Sequence, residues 1–432
     1  MADRDLLILG AGLAGLSAAL HAPRPYRLIE KSERVGGLCK TDARAGFLFD
    51  ATGHWLHLRD PEMRALAERC LPGGWATVER RAAIYSHGRF TRYPYQVNTH
   101  GLPPEVVAEN VLGFIEAHLG EGGRALRERE PKDFAEFILR HLGEGFAKNF
   151  MYPYNQKLWT VHPSELGTAW MGRFVPRPTL AEVVRGALGL EGDRAGYNAT
   201  FIYPRAGGIE AFVRALAALL PEPALTGVHP LGLDLRRKTA LLSTGEEVAF
   251  RHLVATIPLP ELVALCGKVP EPVGEAARLL RATTVTYVNV GAQDVGAPPF
   301  HWVYLPEERH RPYRVGSASA AVPSLAPAGR RSFYVEFSAA SPLLAAEVEA
   351  EAVRTLVDLG FLRGERDVLF TETRVIPHAY VLYDRHYGEA RRAIVDYLAE
   401  NDVLVAGRYG RWEYSSMEDA LLGGRECARR VA

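Results

Sequence analysis

Three glycines and one acid mark the first place in this 432-residue chain where residue type and spacing imply chemistry. They are Gly10-x-Gly12-x-x-Gly15 and, twenty residues after Gly10, Glu30. A glycine at the first position permits a tight turn, the second lets backbone approach a pyrophosphate, and the third lets a helix lie close on a strand. A helix starting there aims free N–H groups and its positive dipole end at the phosphates. Glu30 is placed to accept from ribose hydroxyls, and its charge would repel a 2′-phosphate. The elements that must hold these residues are legible around them. The apolar run Leu6 to Leu9 reads as a strand, the Ala/Leu-rich pattern through Leu20 as a helix, and the run ending at Glu30 as a second strand. Agreement of strand, turn, helix and acid is far more specific than three glycines alone.

A second glycine pair follows at once, in Arg34-Val35-Gly36-Gly37. A further turn suits a cofactor that continues past its pyrophosphate, so FAD is expected rather than NAD. No His or Cys stands in a linkage context, so the FAD is expected to be non-covalent. The candidate cofactor contacts in this half are Gly10, Gly12, Ala14, Gly15, Glu30, Lys31, Gly36, Gly37, Leu38, Gly53 and Val228. The chain ends on a strand, a glycine turn and a helix (VLVAGRYGRWEYSSMEDALLGG), which adds Gly407, Met417, Glu418 and Asp419. A helix starting near Met417 could point its N-terminus at the electron-rich edge of a flavin. An ordinary amphipathic C-terminal helix is the alternative.

Composition narrows the class. Lys plus Arg and Asp plus Glu both number 51, so the formal net charge is zero. That argues against nucleic acid or an anionic membrane as the main partner. The four cysteines are scattered, with no CxxC and no metal-like cluster, as expected of reduced thiols in the cytoplasm. No segment is long and apolar enough to span a membrane. Hydrophobic residues make up 47%, ample for a core shared by two or three domains.

The expected fold class is α/β, with a discontinuous Rossmann-like FAD-binding domain, a helical insert and a β-sheet substrate domain. Residues 1–75, 196–275 and 393–432 are assigned to the FAD-binding domain. Residues 76–100 read as a β-hairpin (AAIYSHGRFTRY, turning at His87-Gly88) that belongs with a β-rich substrate domain at 276–392. The intervening 101–195 is helical by its three- and four-residue apolar spacing. Its exposed faces offer a surface for pairing into a homo-oligomer. From Gly227 the runs LTGVHPLGLDL, KTALLSTG and HLVATIPL read as strands returning to the dinucleotide sheet.

The most distinctive stretch is Phe150-Met151-Tyr152-Pro153-Tyr154-Asn155-Gln156-Lys157-Leu158-Trp159, followed by Ala169-Trp170-Met171-Gly172. Supporting it are Tyr93-Pro94-Tyr95-Gln96, Asn198-Ala199-Thr200-Phe201, Trp302-x-Tyr304, Tyr313-Arg314 and Gly407-Arg408-Tyr409-Gly410-x-Trp412-x-Tyr414. Together these resemble the FAD-dependent superfamily of amine oxidases, protoporphyrinogen oxidases and UDP-galactopyranose mutases. Within it the chain is most similar to eukaryotic-type UDP-galactopyranose mutases and their bacterial relatives. The resemblance implies interconversion of pyranose and furanose forms of a nucleotide sugar, through attack of reduced-flavin N5 on the anomeric carbon. It implies Arg314 and Arg408 as holders of the diphosphate and His54 as a histidine near the flavin. Tyr93, Gln96, Asn155, Trp159, Asn198, Tyr304, Tyr380 and Tyr414 are implied to bind substrate. NADPH or NADH is the implied reductant; no second Rossmann motif is evident, so it would share the substrate cleft.

Elementary chemistry asks for the same kinds of residue. A leaving diphosphate calls for bidentate guanidinium donors, and a pyrimidine calls for an aromatic face. Taken singly, however, Trp159 and Trp170 read as core, Tyr304 and Tyr380 as satisfied interface tyrosines, and Arg408 as a carbonyl cap. Two positions depart from the mutase pattern: Phe174 stands where an arginine is expected and Ala321 where a tyrosine is expected. The alternative is therefore an FAD-dependent oxidoreductase of the amine oxidase or protoporphyrinogen oxidase type, moving hydride from substrate to flavin.

Overall fold

The first strand, Leu6–Leu9, is fully buried and becomes the centre of a five-stranded, all-parallel sheet. It pairs with Tyr26–Glu30 on one side and His252–Ala255 on the other. Leu225–Thr226 and Val403–Val405 complete the edges. Three stretches far apart in sequence thus meet in one sheet. The computed structural model describes residues 5–168, 170, 171, 175, 177–190 and 199–431.

The expected return of 227–255 to this sheet is only partly what the chain does. His252–Ala255 joins it, but Pro230–Asp234, Thr239–Leu242 and Glu247–Ala249 form a separate three-stranded antiparallel sheet. Leu233, Ala240, Leu242 and Val248 of that sheet pack toward Leu7, Leu9 and the helix Leu259–Leu265. A short antiparallel pair, Trp75–Glu79 with Thr200–Pro204, links the two sides of the helical block.

The second large sheet has seven strands, in the order Val368–Val381, Ala282–Gln293, Arg330–Ala339, Arg314–Gly316, Trp302–Tyr304, Ala82–Ser86 and Arg89–Arg92. The hairpin turns at His87 (φ 52°) and Gly88 (φ 75°), the two positive values that a tight two-residue turn needs. Strand alternation divides this sheet into two faces. Val303, Val315, Val335 and Val288 lie in one cross-strand row and pack under the helix Ala345–Asp358 through Val348, Ala352 and Leu356. The opposite face looks toward the parallel sheet.

Between residues 104 and 187 the helices Pro104–Leu119, Phe134–Phe146, Tyr152–Trp159 and Leu180–Ala187 enclose an aromatic core around Phe114, Phe134, Phe146 and Trp159. A π-turn, Ala147–Met151, precedes Tyr152–Trp159. No helix among the described residues is long and apolar enough to cross a membrane.

The helix Leu13–Leu20 is gripped by backbone on two sides. A Cβ at Gly15 would lie 1.9 Å from the Gly10 carbonyl oxygen, and one at Gly424 would lie 2.1 Å from the Ala14 carbonyl oxygen. The second contact is made by the C-terminal helix Met417–Arg430, which is also tied down by Ser17 Oγ donating to the Leu421 carbonyl at 2.6 Å. A methyl group at 424 must push these helices apart. Gly424→Ala is expected to cost about 1–3 kcal/mol and to lower the temperature at which bound FAD is released. The measurement is thermal release followed by flavin fluorescence; an unchanged release temperature would show that the contact is not needed.

Candidate functional site

The glycine turn does what its sequence implies. Gly10 adopts φ +92°, and Gly12 caps the helix Leu13–Leu20 without a side-chain acceptor, with no acid in the first turn. The leading N–H groups are thereby left for an anion. The second turn docks on the first, with Gly36 N donating to the Ala11 carbonyl at 2.7 Å. Glu30 is buried; its Oε2 accepts from Ala11 N at 2.8 Å and its Oε1 from Ser32 N at 2.9 Å. Each carboxylate oxygen keeps a lone pair for a ribose hydroxyl.

A continuous cavity of about 1080 Å³ runs from this cradle into the space between the two large sheets. Small-molecule sites are commonly about 300–1,000 Å³, so this one has room for a dinucleotide and a second ligand. Gly10, Gly12, Ala14, Glu30, Lys31, Gly36, Gly37, Leu38, Gly53, Val228, Gly407 and Met417 all line it. Uncapped N–H groups, a presented carboxylate and an elongated cavity fit FAD.

Three expected cofactor residues sit elsewhere. Gly15 acts through helix packing and does not face the cavity. Glu418 is buried away from the cavity, its Oε1 accepting from the backbone N–H groups of Arg59 and Asp60, the latter at 2.8 Å. Asp419 accepts from Ser416 N and Oγ at 2.8 Å in a capping box. A helix start needs an acceptor for its own N–H groups, and these two acids serve that end and the neighbouring loop. Met417 and Ala420 are the residues of this helix that reach the cavity.

The other end of the cavity is an aromatic box. Tyr93 and Tyr154 each stand 5.4 Å from Tyr304, Trp159 lies 5.7 Å from Tyr380, and Tyr380 stacks on Tyr414 at 6.2 Å. Gln96 and Asn155 line the same space. Asn155 is already partly engaged, with Nδ2 donating to the Met151 carbonyl at 2.7 Å and Oδ1 accepting from Trp159 Nε1 at 3.1 Å. In this arrangement Asn155 orients Trp159 and retains one N–H and one lone pair for a ligand. Asn198 and the position of Phe174 lie outside the described residues. Ala321 ends a short helix packed near Trp55 and does not line the cavity.

Both predicted arginines converge on the box. Arg408 sits 5.2 Å from the Tyr380 ring and 4.9 Å from the Tyr414 ring, and donates to the Ala379 carbonyl at 2.5 Å and the Ser415 carbonyl at 3.5 Å. Its Nε is buried with no partner among the described residues. Arg314 forms a bidentate pair with Glu336, through Nε to Oε2 and Nη2 to Oε1 at 2.8 Å, and Glu336 is wholly buried. The two residues are directly opposed across neighbouring strands, with Tyr304 next in the row. Burial alone would weaken the Arg314 charge, but the Glu336 carboxylate holds its pKa well above the usual arginine value. That leaves Nη1 of Arg314 outside the pair.

Sequence reading did not pick out Glu336, although a signal was present. In SFYVEFS, Phe333, Val335 and Phe337 form an apolar face, so Tyr334, Glu336 and Ser338 must share the other. A glutamate within a buried strand requires a cationic partner.

His54 is partly buried beside these guanidiniums, with its Nδ1 enclosed. Burial first, then Arg408 and Arg314, push its pKa down to about 4, so the imidazole is neutral at pH 7. Its Nδ1 has no hydrogen-bond partner among the described residues. Arg408 Nε and His54 Nδ1 are thus two buried polar atoms without a partner among the described residues, on two residues that line the same cavity.

Comparison with known proteins agrees with this geometry. The family described as flavin containing amine oxidoreductase matches residues 13–432. A coproporphyrinogen III oxidase from Mycobacterium leprae (strain TN) is 25% identical over 325 residues, 69% of each chain. A polyamine oxidase 3 from Oryza sativa subsp. japonica is 29% identical over 135 residues, 30% of this chain and 27% of that one. The crystal structure of a reduced UDP-galactopyranose mutase superposes over 100% of this chain and 94% of its own, with a TM-score of 0.92 at 24% identity. A protoporphyrinogen oxidase-like protein from Exiguobacterium sp. 255-15 covers 100% of this chain and 99% of its own, with a TM-score of 0.73 at 16% identity. With its family profile spanning almost the whole sequence and its fold shared over the full length, the chain belongs to the flavin-containing amine oxidoreductases.

Proposed function

We propose that this flavoenzyme interconverts the pyranose and furanose forms of a nucleotide sugar. The observation that carries this reading is the pair of arginines inside an aromatic box at the far end of the dinucleotide cavity. Reduced FAD, when bound, supplies the nucleophile that separates the sugar from its diphosphate; no net oxidation results.

The chain's own groups meet the other demands. Trp159, Tyr154 and Tyr304 offer ring faces on which a pyrimidine can stack. Arg408 lines the cavity where the departing diphosphate would lie, while Tyr380 and Tyr414 keep the guanidinium plane fixed. Glu336 holds Arg314 at a set angle, so its free Nη1 can reach a second phosphate oxygen. Neutral His54 lines the cavity and can meet a sugar hydroxyl without adding charge. NADPH or NADH would reduce the flavin from the same end of the cavity.

An oxidoreductase is the second reading, favoured by the likeness to a coproporphyrinogen III oxidase. Two guanidiniums suit an anionic substrate on that reading too. They do not suit a protonated amine, because the carboxylate beside them, Glu336, is already committed to Arg314.

Purified protein reduced anaerobically with dithionite is expected to interconvert UDP-galactopyranose and UDP-galactofuranose, with products separated by chromatography. The oxidised protein should be inactive. If neither sample interconverts them and a porphyrinogen bleaches the oxidised flavin instead, the oxidase reading replaces the mutase reading.

Two substitutions separate holding substrate from holding the fold. Arg408→Lys removes the planar donor and should lower kcat/KM by about 10- to 100-fold, the equivalent of one charged hydrogen bond. Glu336→Gln leaves the half-buried Arg314 charged and without its counter-ion, so it should destabilise the protein itself, by up to about 3 kcal/mol. Steady-state kinetics and thermal unfolding of both variants check this; equal melting temperatures would refute the assignment of Glu336.

A further inference from the structure

The helix Tyr152–Trp159 turns Tyr154, Asn155, Leu158 and Trp159 toward the cavity. At 3.6 residues per turn, Lys157 leaves the helix on the other side. Its ammonium is largely buried, and it donates to backbone carbonyls of a single loop. These are Leu305 at 2.8 Å, Pro312 at 3.5 Å, and those of Glu307 and His310. No carboxylate among the described residues pairs with it; Glu307, Glu308 and Glu351 attract it only from a distance. Burial pulls its pKa down to about 8.

That loop joins the strand ending at Tyr304 to the strand beginning at Arg314. One ammonium therefore fastens the wall carrying Asn155 and Trp159 to the wall carrying Tyr304 and Arg314. Carbonyl oxygens crowded together repel one another, and a compact cation among them offsets that repulsion; its three N–H groups serve three of the four, with Pro312 the most distant at 3.5 Å. An eight-residue helix following a π-turn has little stability of its own and needs such an anchor. Ser338 Oγ, donating to the Leu158 carbonyl at 2.8 Å, is a second and weaker tether.

We infer that Lys157 is a positioning residue whose ammonium occupies a monovalent-cation site built from the carbonyls of the 305–312 loop, setting one pocket wall against the other. The inference concerns the wall and stands whichever reaction the pocket performs. It predicts that the ring, emptied of its lysine, will accept a free cation of similar size and charge.

The test is hydrogen–deuterium exchange on the FAD-bound protein, comparing wild type with Lys157→Ala in sodium chloride and in ammonium chloride at equal ionic strength. In sodium, Lys157→Ala should retain FAD but lose at least tenfold in amide protection over residues 152–159 and 305–314. In ammonium the protection should return, whereas tetramethylammonium, too large for the ring, should restore nothing. Lys157→Ser, which also empties the ring, serves if the alanine variant fails to fold and should respond to ammonium in the same way. Unchanged protection in either variant, or a loss that ammonium does not reverse, overturns the inference.

Discussion

Backbone contact on both sides of the helix Leu13–Leu20 is the constraint from which the rest of the site follows. Gly15 lets this helix rest on its own turn, and Gly424 lets the C-terminal helix rest on it from the other side. Side chains at these positions would hold the elements ångströms apart, and the N-terminus of the first helix would no longer meet the second glycine turn. Because the C-terminal helix closes the cradle, the cofactor site is complete only when the ends of the chain have met. The same closure brings Gly407 against Ala14, and Arg408, the next residue, lines the same cavity. Packing at the cofactor end thus sets electrostatics at the substrate end.

The second sheet solves a different problem, which is to carry charge on a buried surface. Its outer face is closed by the helix Ala345–Asp358 over a mainly apolar surface, with Thr371 and Thr373 hydrogen-bonded to Glu349 of that helix, while its inner face carries Tyr304, Arg314 and Glu336 in one cross-strand row. A buried arginine alone would be prohibitively costly, and a buried pair gives back most of that cost only with good geometry. Here the strands supply the geometry, since directly opposed residues share a face. Glu336 takes part of the guanidinium and leaves part of it directed elsewhere. The outcome is a charge that is neutralised enough to be buried yet still able to hydrogen-bond.

Local chemistry was readable in the sequence wherever a few adjacent residues determine the structure. The glycine turn, Glu30, the His87-Gly88 hairpin and the helix at Met417 each rest on short-range rules of backbone freedom, capping and alternation. Pairings across long separations were not readable. Nothing local in Trp75–Glu79 announces Thr200–Pro204 as its partner, nor that 230–249 would fold into a sheet of its own. The site followed the same division. Residue types drew Arg314, Arg408 and the tyrosines together because the resemblance placed them in order, yet Glu336 becomes visible only when register sets it opposite Arg314. Glu418 and Asp419 show the converse error: proximity in sequence to a cofactor-facing helix start does not say which way a side chain leaves it.

Membership of the family leaves the reaction open, since one fold can host both hydride transfer and isomerisation. The discriminating quantity is the sign of the field in the box. Arg314 and Arg408 approach it with one compensating carboxylate, and the neighbouring histidine is kept neutral by burial and by those same arginines. Such a field lowers the energy of any negative charge developing there. A diphosphate leaving group and the anion of a reduced flavin both benefit, whereas a cationic amine is held off. The field also explains why His54 can sit beside two guanidiniums without destabilising them, because a protonated imidazole would add a third positive charge in the same buried space. A tyrosine cage without arginines would suit amines; arginines without the cage would bind phosphate without reading a base. On the proposed reading, the two together suit a ligand that is aromatic at one end and anionic in the middle, as a nucleotide sugar is.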